Sequence, residues 1–335
     1  MNTATPKRAP ELVCPAGTPA GLRTAVDAGA HAVYCGFRDE TNARNFPGLN
    51  FDRKELREGV EYAHQRGVKV LVALNTFMRA GATDTWHRAV DDAVAAGADA
   101  LILADIALVA YAREAYPKQR LHLSVQAAAA TPEAIAFYRD RFGIARVVLP
   151  RVLTVDEISR LAAAAAPCET EVFVFGGLCV MAEGRCLLSS YATGKSPNMS
   201  GVCSPPSHVD YREECGRLVA SVGGFMVERF EPGEPAGYPT LCKGRYQANG
   251  ALSHLFEDPV SLNAVELLQQ LAKAGVTAFK IEGRQRGRAY IATAVQAFRR
   301  AVDALAAGDQ VDFSELRALT EGQRDTSGAY KKAWR

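Results

Sequence analysis

The chain contains no long apolar run and has almost no excess of one charge. None of its 335 residues belongs to an uninterrupted apolar stretch of about 18 residues, and the start, MNTATPKRAP, lacks the apolar segment of a signal peptide. The formal net charge is +2, with acids and bases mixed along the chain, so no basic stripe predicts a nucleic-acid or membrane surface. We therefore expect a cytoplasmic protein without a membrane span and without a nucleic-acid partner.

Several motifs of common enzyme classes are also absent. The six histidines form neither an H-x3-H nor an HExxH pattern, and no G-x-S-x-G segment occurs. No G-x-G-x-x-G segment follows the first strand candidate, which argues against a doubly wound dinucleotide-binding sheet. The sequence thus contains no recognisable hydrolytic site.

Cysteine has the most informative distribution in the sequence. Cys179, Cys186, Cys203 and Cys242 follow the spacing C-x6-C-x16-C-x38-C in a region rich in Gly, Pro and Ser. Four thiolates are the ligand number of a closed metal or iron–sulfur site. Structural zinc usually shows two C-x2–4-C pairs, and no C-x-x-C occurs here, which favours a cluster over zinc. A four-iron cluster, a zinc ion and no metal all remain possible from spacing alone.

The other four cysteines have simpler interpretations. Cys215, in REECGRL, competes for a place among the ligands, but its charged surroundings indicate a surface position. Cys14, Cys35 and Cys168 lie in or beside apolar segments and are interpreted as packing residues. Without a signal peptide, a disulfide framework is not expected.

Short apolar runs alternate with helical patterns along most of the chain. Runs such as ALILA and RVVL are continuously apolar, which is typical of parallel strands buried on both faces. Glycine precedes the strand candidates in DAGAHAVY, QRGVKV and KAGVTAF, where it marks helix ends. Eight strand candidates, each followed by a helix, predict an α/β fold of the (β/α)8 TIM-barrel type. The last helix before the eighth strand is predicted over DPVSLNAVELLQQLAKAG.

The cysteine-rich region interrupts this alternation after the seventh strand candidate. Within it, RLVASVGGFMVERF predicts a hairpin that turns at Gly223 and Gly224. A loop after a barrel strand emerges at the face where active sites lie, so we expect Cys179 and Cys186 at that rim. The expected division is seven βα units at 11–176, an iron–sulfur-binding insertion between strands 7 and 8 at 177–258, the last barrel strand with its helices at 259–308, and a polar, partly mobile tail at 309–335.

Polar residues follow the strand candidates and should meet at the barrel mouth. Glu282, Arg284 and Arg151 are the catalytic candidates, because Glu282 can orient Arg284 and an arginine can bind a substrate carboxylate through two hydrogen bonds. Asp105 follows the fourth strand, and like any of these residues it could instead cap a helix. The substrate-binding candidates, which include residues of the loop TNARNFPGLNF, are Arg44, Asn45, Asn75 and Gln126, with Asn42 in the same loop.

Two segments resemble a known family. EVFVFGGLCVMAEGRCLLSS resembles the signature of the peptidase U32 family, and FKIEGR resembles its second hallmark. Agreement with the ubiquinone-biosynthesis branch of that family, the UbiU branch, extends from about residue 11 to about residue 305. It includes ELVCPAG, TNARNFPGLNF, ALILAD, SVQA, ARVVLPRVL, GYPTLCKGRY and KIEGRQR.

The resemblance implies a cofactor, a partner and a reaction. It implies a [4Fe–4S] cluster held by Cys179, Cys186, Cys203 and Cys242, whereas Cys215 has no counterpart in the family pattern. It also implies a heterodimer with a UbiV-like protein and oxygen-independent hydroxylation of the ubiquinone precursor ring, with prephenate as the oxygen donor. Three alternatives are kept: an RNA-modifying hydroxylase of the same family, a U32 metallopeptidase, and a non-catalytic scaffold with a structural metal.

Overall fold

The computed structural model describes residues 9–199, 201–307, 316, 318–320 and 324–331. The strands are β1 Glu11–Pro15, β2 Ala32–Cys35, β3 Lys69–Leu74, β4 Ala100–Leu103, β5 Arg120–Leu123, β6 Arg146–Val148, β7 Glu169–Gly177, β8 Val209–Glu214, β9 Arg217–Val222, β10 Phe225–Phe230, β11 Arg245–Ala248, β12 Ala251–His254, β13 Ser261–Asn263, β14 Ala278–Ile281 and β15 Asp325–Thr326. The helices are α1 Pro19–Asp27, α2 Arg53–His64, α3 Asp84–Ala95, α4 Ile106–Ala115, α5 Pro132–Phe142, α6 Val155–Ala165, α7 Leu188–Thr193, α8 Leu268–Lys273 and α9 Arg288–Ala307.

Eight parallel strands close into a barrel. Strands β1 to β7 pair in chain order, and β14 closes the ring by pairing in parallel with both β1 and β7. Helices α1 to α6 each connect two consecutive strands of this ring, so the predicted (β/α)8 barrel is confirmed. No helix in the described part of the chain is long and apolar enough to cross a membrane.

Helix boundaries follow from capping side chains. Asp52 accepts a hydrogen bond from the backbone N–H of Glu55, whose own side chain reaches back to the backbone of Asp52, so α2 begins in a capping box. Thr154 and Glu157 make the same reciprocal pair at α6. At the end of α5, Gly143 adopts a φ of 62°, the left-handed conformation that stops a helix.

The barrel interior is filled by two kinds of residue. One side is lined by small or apolar residues: Val13, Ala32, Tyr34, Leu71, Ala73, Ala100, Ile102 and Ala278. The other side carries the long charged side chains of Arg146 on β6, Glu171 on β7 and Lys280 on β14, all buried. The alanines leave the space into which these long side chains extend.

The insertion after β7 forms a small unit of its own. It contains α7, an antiparallel sheet in the order β10–β9–β8, and the hairpin of β11 and β12. The predicted hairpin is confirmed, because β9 and β10 are joined at Gly223 and Gly224, which have φ values of 59° and 82°. Both glycines are required by the left-handed backbone of this turn.

One expectation for the C-terminal part is wrong, and part of the tail can be described. The segment predicted as one helix before the eighth strand begins instead with β13, which pairs antiparallel with β7, and its α-helix is only α8. The side chain of Asn263 accepts a hydrogen bond from the N–H of Val265, an interaction that ends the strand locally. In the tail, β15 pairs with β13 and Tyr330 is buried against the barrel, so these described residues are packed.

Candidate functional site

A polar cavity opens at the carboxyl ends of the barrel strands. We call it the mouth cavity. It is lined by Tyr34, Arg44, Ala73, Asn75, Ile102, Ser124, Val125, Gln126, Val148, Arg151, Phe173, Glu183, Lys280, Glu282 and Arg284. Six of the seven catalytic and substrate-binding candidates line it, namely Arg44, Asn75, Gln126, Arg151, Glu282 and Arg284.

A second cavity adjoins the first on the side of the insertion. All four candidate ligands, Cys179, Cys186, Cys203 and Cys242, line this cysteine cavity. The two cavities share a wall formed by Arg44, Gln126, Arg151 and Glu183. The fold therefore brings together four thiols that are up to 63 positions apart in sequence, beside the barrel mouth.

The thiols of the cysteine cavity are all free. No cysteine in the described structure is in a disulfide, and Cys179, Cys186 and Cys242 are half-buried whereas Cys203 is exposed. Burial raises the pKa of Cys179 to about 12 and that of Cys242 to about 11, and it also raises the pKa of Cys186. These thiols are therefore protonated at neutral pH, and a bound metal would have to displace their protons.

The remaining cysteines occupy the positions expected of them. Cys14, Cys35 and Cys168 are buried in the core between strands and helices. Cys215 is exposed at the turn between β8 and β9, away from the cysteine cavity. The interpretation of these four as packing and surface residues is confirmed.

Two glycines allow the insertion to lie close to the barrel mouth. Gly184 has a φ of 78°, and a Cβ atom there would lie 2.0 Å from the carbonyl oxygen of Gln126. Gly201 has a φ of 74°, and its Cβ would lie 1.5 Å from the carbonyl oxygen of Ala43. Contacts this close require glycine, so the backbone of the insertion is fixed against two barrel loops.

Arg151 is held in the shared wall by a buried ion pair. Its Nε atom lies 2.6 Å from Oε1 of Glu183, and both side chains are about as buried as core residues. Its guanidinium also donates to the carbonyl oxygen of Gly177 and lies over the Phe173 ring, 4.3 Å from the centroid. Burial alone would lower the pKa of Arg151, but Glu183 keeps it above its usual value. Arg151 thus carries a fixed positive charge between the cavities.

Arg284 is a buried guanidinium without a carboxylate partner among the described residues. Its side chain donates to Oδ1 of Asn42 at 2.8 Å and lies over the Tyr34 ring, 5.5 Å from the centroid. Only 6% of the residue is exposed. Burial lowers the pKa of Arg284 to about 10, so the group remains charged at neutral pH. A buried cation of this kind is best satisfied by an anion from outside the chain.

Glu282 and Arg44 complete the charged part of the mouth. Oε2 of Glu282 accepts the backbone N–H of Gly177 at 3.1 Å. Burial alone would raise the pKa of Glu282, but Arg44 and Arg151 hold it below its usual value, so the carboxylate is ionised. Arg44 donates to the carbonyl oxygen of Gly201 at 2.7 Å and so connects the loop after β2 to the insertion.

Other predicted polar residues have different positions. Oδ1 of Asn75 accepts the N–H of Ala43 at 3.1 Å, so Asn75 fixes the loop that carries Arg44. Asn45 is half-buried and is not among the residues that line either cavity. Asp105 accepts the N–H groups of Ala107 and Leu108 and caps α4.

Gln126 has an unsatisfied atom inside the shared wall. The residue is 8% exposed, and its Oε1 atom is buried without a hydrogen-bond partner in the described structure. Buried polar atoms are nearly always paired, so this one is placed for an external group.

Three ionisable residues of the mouth cavity were not predicted from the sequence. Tyr34 and Lys280 lie inside apolar strands, and Glu183 lies within the signature EVFVFGGLCVMAEGRC. A lysine in the middle of the buried strand AFKI was the one signal that sequence reasoning could have used, because buried lysines are rare unless paired.

A profile of peptidase family U32 matches residues 17–332. The tRNA hydroxylation protein P of Escherichia coli (strain K12) is 34% identical over 328 residues, which cover 92% of this chain and 71% of that protein. The 23S rRNA 5-hydroxycytidine C2501 synthase of the same strain is 31% identical over 300 residues, which cover 88% of this chain and 39% of that protein.

A solved structure of the U32 peptidase Mk0906 is also similar. It is 19% identical, with a TM-score of 0.43, over 52% of this chain and 72% of that chain.

Proposed function

Because the chain belongs to peptidase family U32, we propose that it is the iron–sulfur subunit of an oxygen-independent hydroxylase. The observation that carries this proposal is the cysteine cavity, where four free thiols share a wall with the charged barrel mouth. The proposed substrate is the ubiquinone precursor ring, the proposed partner a UbiV-like protein, and the proposed oxygen donor prephenate.

Four cysteines around one cavity match the ligand number of a four-iron cluster. A single zinc ion needs its thiolates roughly 4 Å apart, because each Zn–S bond is about 2.3 Å long. Among the described residues, no group of three or more Cys, His, Asp or Glu side chains is arranged around a single ion. A [4Fe–4S] cluster takes one thiolate at each iron corner, so its ligands stand further apart around one cavity. Cys179, Cys186, Cys203 and Cys242 would hold it.

The residues of the mouth cavity are suited to an anionic ligand. Arg284 would bind a carboxylate of the donor, since it has a buried positive charge and no carboxylate partner in the described structure. Arg151, fixed by Glu183, would present positive charge where the two cavities meet. Glu282 is ionised and its charge interacts with those of Arg44 and Arg151, so it would help to orient these two side chains. When bound, the cluster would supply electron transfer or a Lewis-acidic iron.

The choice of the ubiquinone ring rests on the sequence resemblance. Seven segments that agree with the UbiU branch include TNARNFPGLNF, GYPTLCKGRY and KIEGRQR, and these carry Arg44, Cys242, Lys280, Glu282 and Arg284. Residues of the proposed site therefore lie within the segments that carry the resemblance.

Hydroxylation of RNA is the second candidate, and the relatives favour it. The matched relatives from Escherichia coli are named for hydroxylation of tRNA and of 23S rRNA. These relatives give no support to the expectation of no nucleic-acid partner. Both candidates share the cysteine cavity and differ only in the acceptor that is hydroxylated.

One experiment separates the two candidates. Cells lacking the chain, and cells supplied with the wild type or the Cys179→Ala variant, are grown without oxygen. Ubiquinone and hydroxylated nucleosides are then measured in the same cells by mass spectrometry. We expect ubiquinone to disappear in the deletion and in Cys179→Ala while tRNA and rRNA nucleosides are unchanged. Loss of a hydroxylated nucleoside with normal ubiquinone would establish the RNA candidate instead, and an active Cys179→Ala variant would indicate a scaffold with a structural metal.

Peptide hydrolysis is not favoured by the site. No histidine is among the described residues that line either cavity, so no thiol or hydroxyl there has an imidazole base beside it. We expect no cleavage of a peptide library by metal-replete protein, and time-dependent cleavage that is lost in Glu183→Gln would contradict this expectation.

A further inference from the structure

A chain of buried charges runs through the barrel and ends at the floor of the mouth cavity. At the amino end of the strands, Arg146 contacts Glu11 at 2.7 Å and Glu169 at 2.5 Å. Its Nη1 atom lies 3.2 Å from Oε2 of Glu171. The other oxygen of Glu171 accepts a hydrogen bond from Nζ of Lys280 at 2.6 Å. Lys280 in turn lines the mouth cavity.

This arrangement is unusual for a barrel interior. Barrel interiors are normally filled by branched apolar residues. A buried ion pair contributes little net stability, because the loss of hydration offsets the attraction between the charges. Glu171 is fully buried and Lys280 is 4% exposed, so the cost of desolvation applies in full. A lysine held in this way at a cavity floor is placed for a ligand.

The ammonium group of Lys280 has more N–H donors than it uses within the described structure. It carries three N–H groups, and in the described part of the chain Glu171 accepts the one hydrogen bond that it makes. A second direction is occupied by the face of Tyr34, whose ring centroid lies 3.8 Å from Nζ. The remaining direction faces the mouth cavity.

We propose that Lys280 donates a hydrogen bond from the cavity floor to an oxygen anion of the ligand, and that Glu171 is the positioning residue that holds it there. The proposal rests on the proposed function, because it assigns a contact to the ligand of the same cavity. When negative charge develops on that oxygen, an Nζ–H bond breaks, an O–H bond forms, and Lys280 is left as a neutral amine. A water molecule that enters through the mouth returns the proton to Lys280, and the hydroxide that remains is neutralised by bulk solvent.

The surroundings of Lys280 determine its pH dependence. Burial lowers the pKa of Lys280, and the charge of Glu171 opposes this shift. The charged and titratable groups around it are Glu171, Arg146, Tyr34, Arg284, His122 and Cys14. A lysine with a lowered pKa is protonated below that pKa and loses its charge as the pH rises through it. Binding of the anion should therefore weaken at alkaline pH.

The test measures dissociation constants for prephenate, phenylpyruvate and malonate by calorimetry from pH 7 to 9, below the pKa of about 10 of Arg284, on cluster-loaded protein. Lys280→Met should weaken binding about 10- to 100-fold and remove the alkaline loss. Lys280→Arg keeps the charge and should restore most of the affinity at neutral pH, without the alkaline loss. Glu171→Gln should move the midpoint of the loss about one pH unit lower, because the carboxylate that supports the ammonium is gone. Lys54→Met changes an exposed lysine on α2 and is the matched control.

The outcomes separate this proposal from the proposed function. Unchanged affinity and an unchanged pH profile in Lys280→Met would overturn the role of Lys280, and so would a wild type that binds none of the three acids. Failure of the proposed function appears elsewhere, as protein without iron and sulfide or as cells with normal ubiquinone after deletion. If Lys280→Met does not fold, the pH dependence of binding is measured in Lys280→Arg and Glu171→Gln instead. A merely structural role of Lys280 would leave that pH dependence unchanged.

Discussion

At the scale of single residues, the contribution of Arg284 to ligand binding can be distinguished from its contribution to stability. It pairs with the neutral Asn42 rather than with a carboxylate, so its burial costs free energy in the absence of a ligand. Residues that destabilise the free protein in this way are expected at binding sites.

We predict that Arg284→Met weakens prephenate binding about 10- to 150-fold, which corresponds to about 1.5–3 kcal/mol. The same variant should unfold at the same temperature as the wild type or at a higher one, because a buried cation has been replaced by an apolar side chain. Calorimetry and a thermal melt check both halves. Arg286→Met, two positions further on at an exposed site, is the control. Lower stability together with normal binding would show that Arg284 is structural.

Unlike Arg284, Glu183 has a buried partner of opposite charge, Arg151. Replacing it by Gln would leave Arg151 as an uncompensated buried cation. We predict that Glu183→Gln lowers the free energy of unfolding by about 3–5 kcal/mol, measured by urea denaturation. The exposed pair of Arg212 and Glu214 provides the control, where Glu214→Gln should lower the free energy of unfolding much less, because water screens this pair. Equal effects of the two changes would mean that Arg151 is accessible to water.

Only part of the site could be predicted from the identity and position of its residues in the sequence. Arg44, Arg151, Glu282 and Arg284 could be predicted because each directly follows a strand or lies in the loop after one. Lys280 and Tyr34 could not, since they lie within strands and their inward direction depends on barrel register. Asn75 and Asp105 also follow strands, but their side chains bind backbone N–H groups, and the sequence does not distinguish the two uses.

At the scale of elements, the carboxylate of Glu11 connects β1 to β3 and β6. Glu11 accepts hydrogen bonds from Lys69 on β3 and Arg146 on β6. Burial would raise the pKa of Glu11, but these two cations lower it to about 2. A carboxyl whose folded pKa is lowered stabilises the fold above its unfolded pKa of about 4.5, and this contribution is lost as the pH falls toward 2.

We predict that Glu11→Gln lowers the free energy of unfolding at pH 7 by about 1–2 kcal/mol, after allowance for screening at the open end of the barrel. The difference between the variant and the wild type should shrink as the pH falls from about 4.5 to 2, because the wild-type carboxyl is then protonated as well. Denaturation at several pH values measures it. A constant difference across this range would contradict the charge-based account.

The prediction of helices succeeded where a helical pattern and a capping box occur together. It failed where a segment with a helical pattern pairs with a strand. Helices α2 and α6 show a capping box and follow strand candidates, where helices were expected. The segment before α8 has helical periodicity, but β13 forms there because the edge of β7 offers backbone partners that no local pattern reveals.

At the scale of the whole molecule, the insertion brings the cysteine cavity to the barrel mouth. Alternating strands and helices predicted the barrel, and the position of the cysteines after the seventh strand predicted the side on which they lie. The shared wall of Arg44, Gln126, Arg151 and Glu183 could not be predicted, because it depends on close backbone contacts at Gly184 and Gly201. Tertiary contacts of this kind produce no periodic pattern in the sequence.

The most direct test of the account is the iron and acid-labile sulfide content of protein purified without oxygen. We predict about four irons and four sulfides per chain in the wild type. We also predict loss of both in Cys179→Ala, Cys186→Ala, Cys203→Ala and Cys242→Ala, with full content in Cys215→Ala. Zinc without sulfide, or unchanged iron in the four cavity variants, would contradict the central claim that these thiols bind an iron–sulfur cluster.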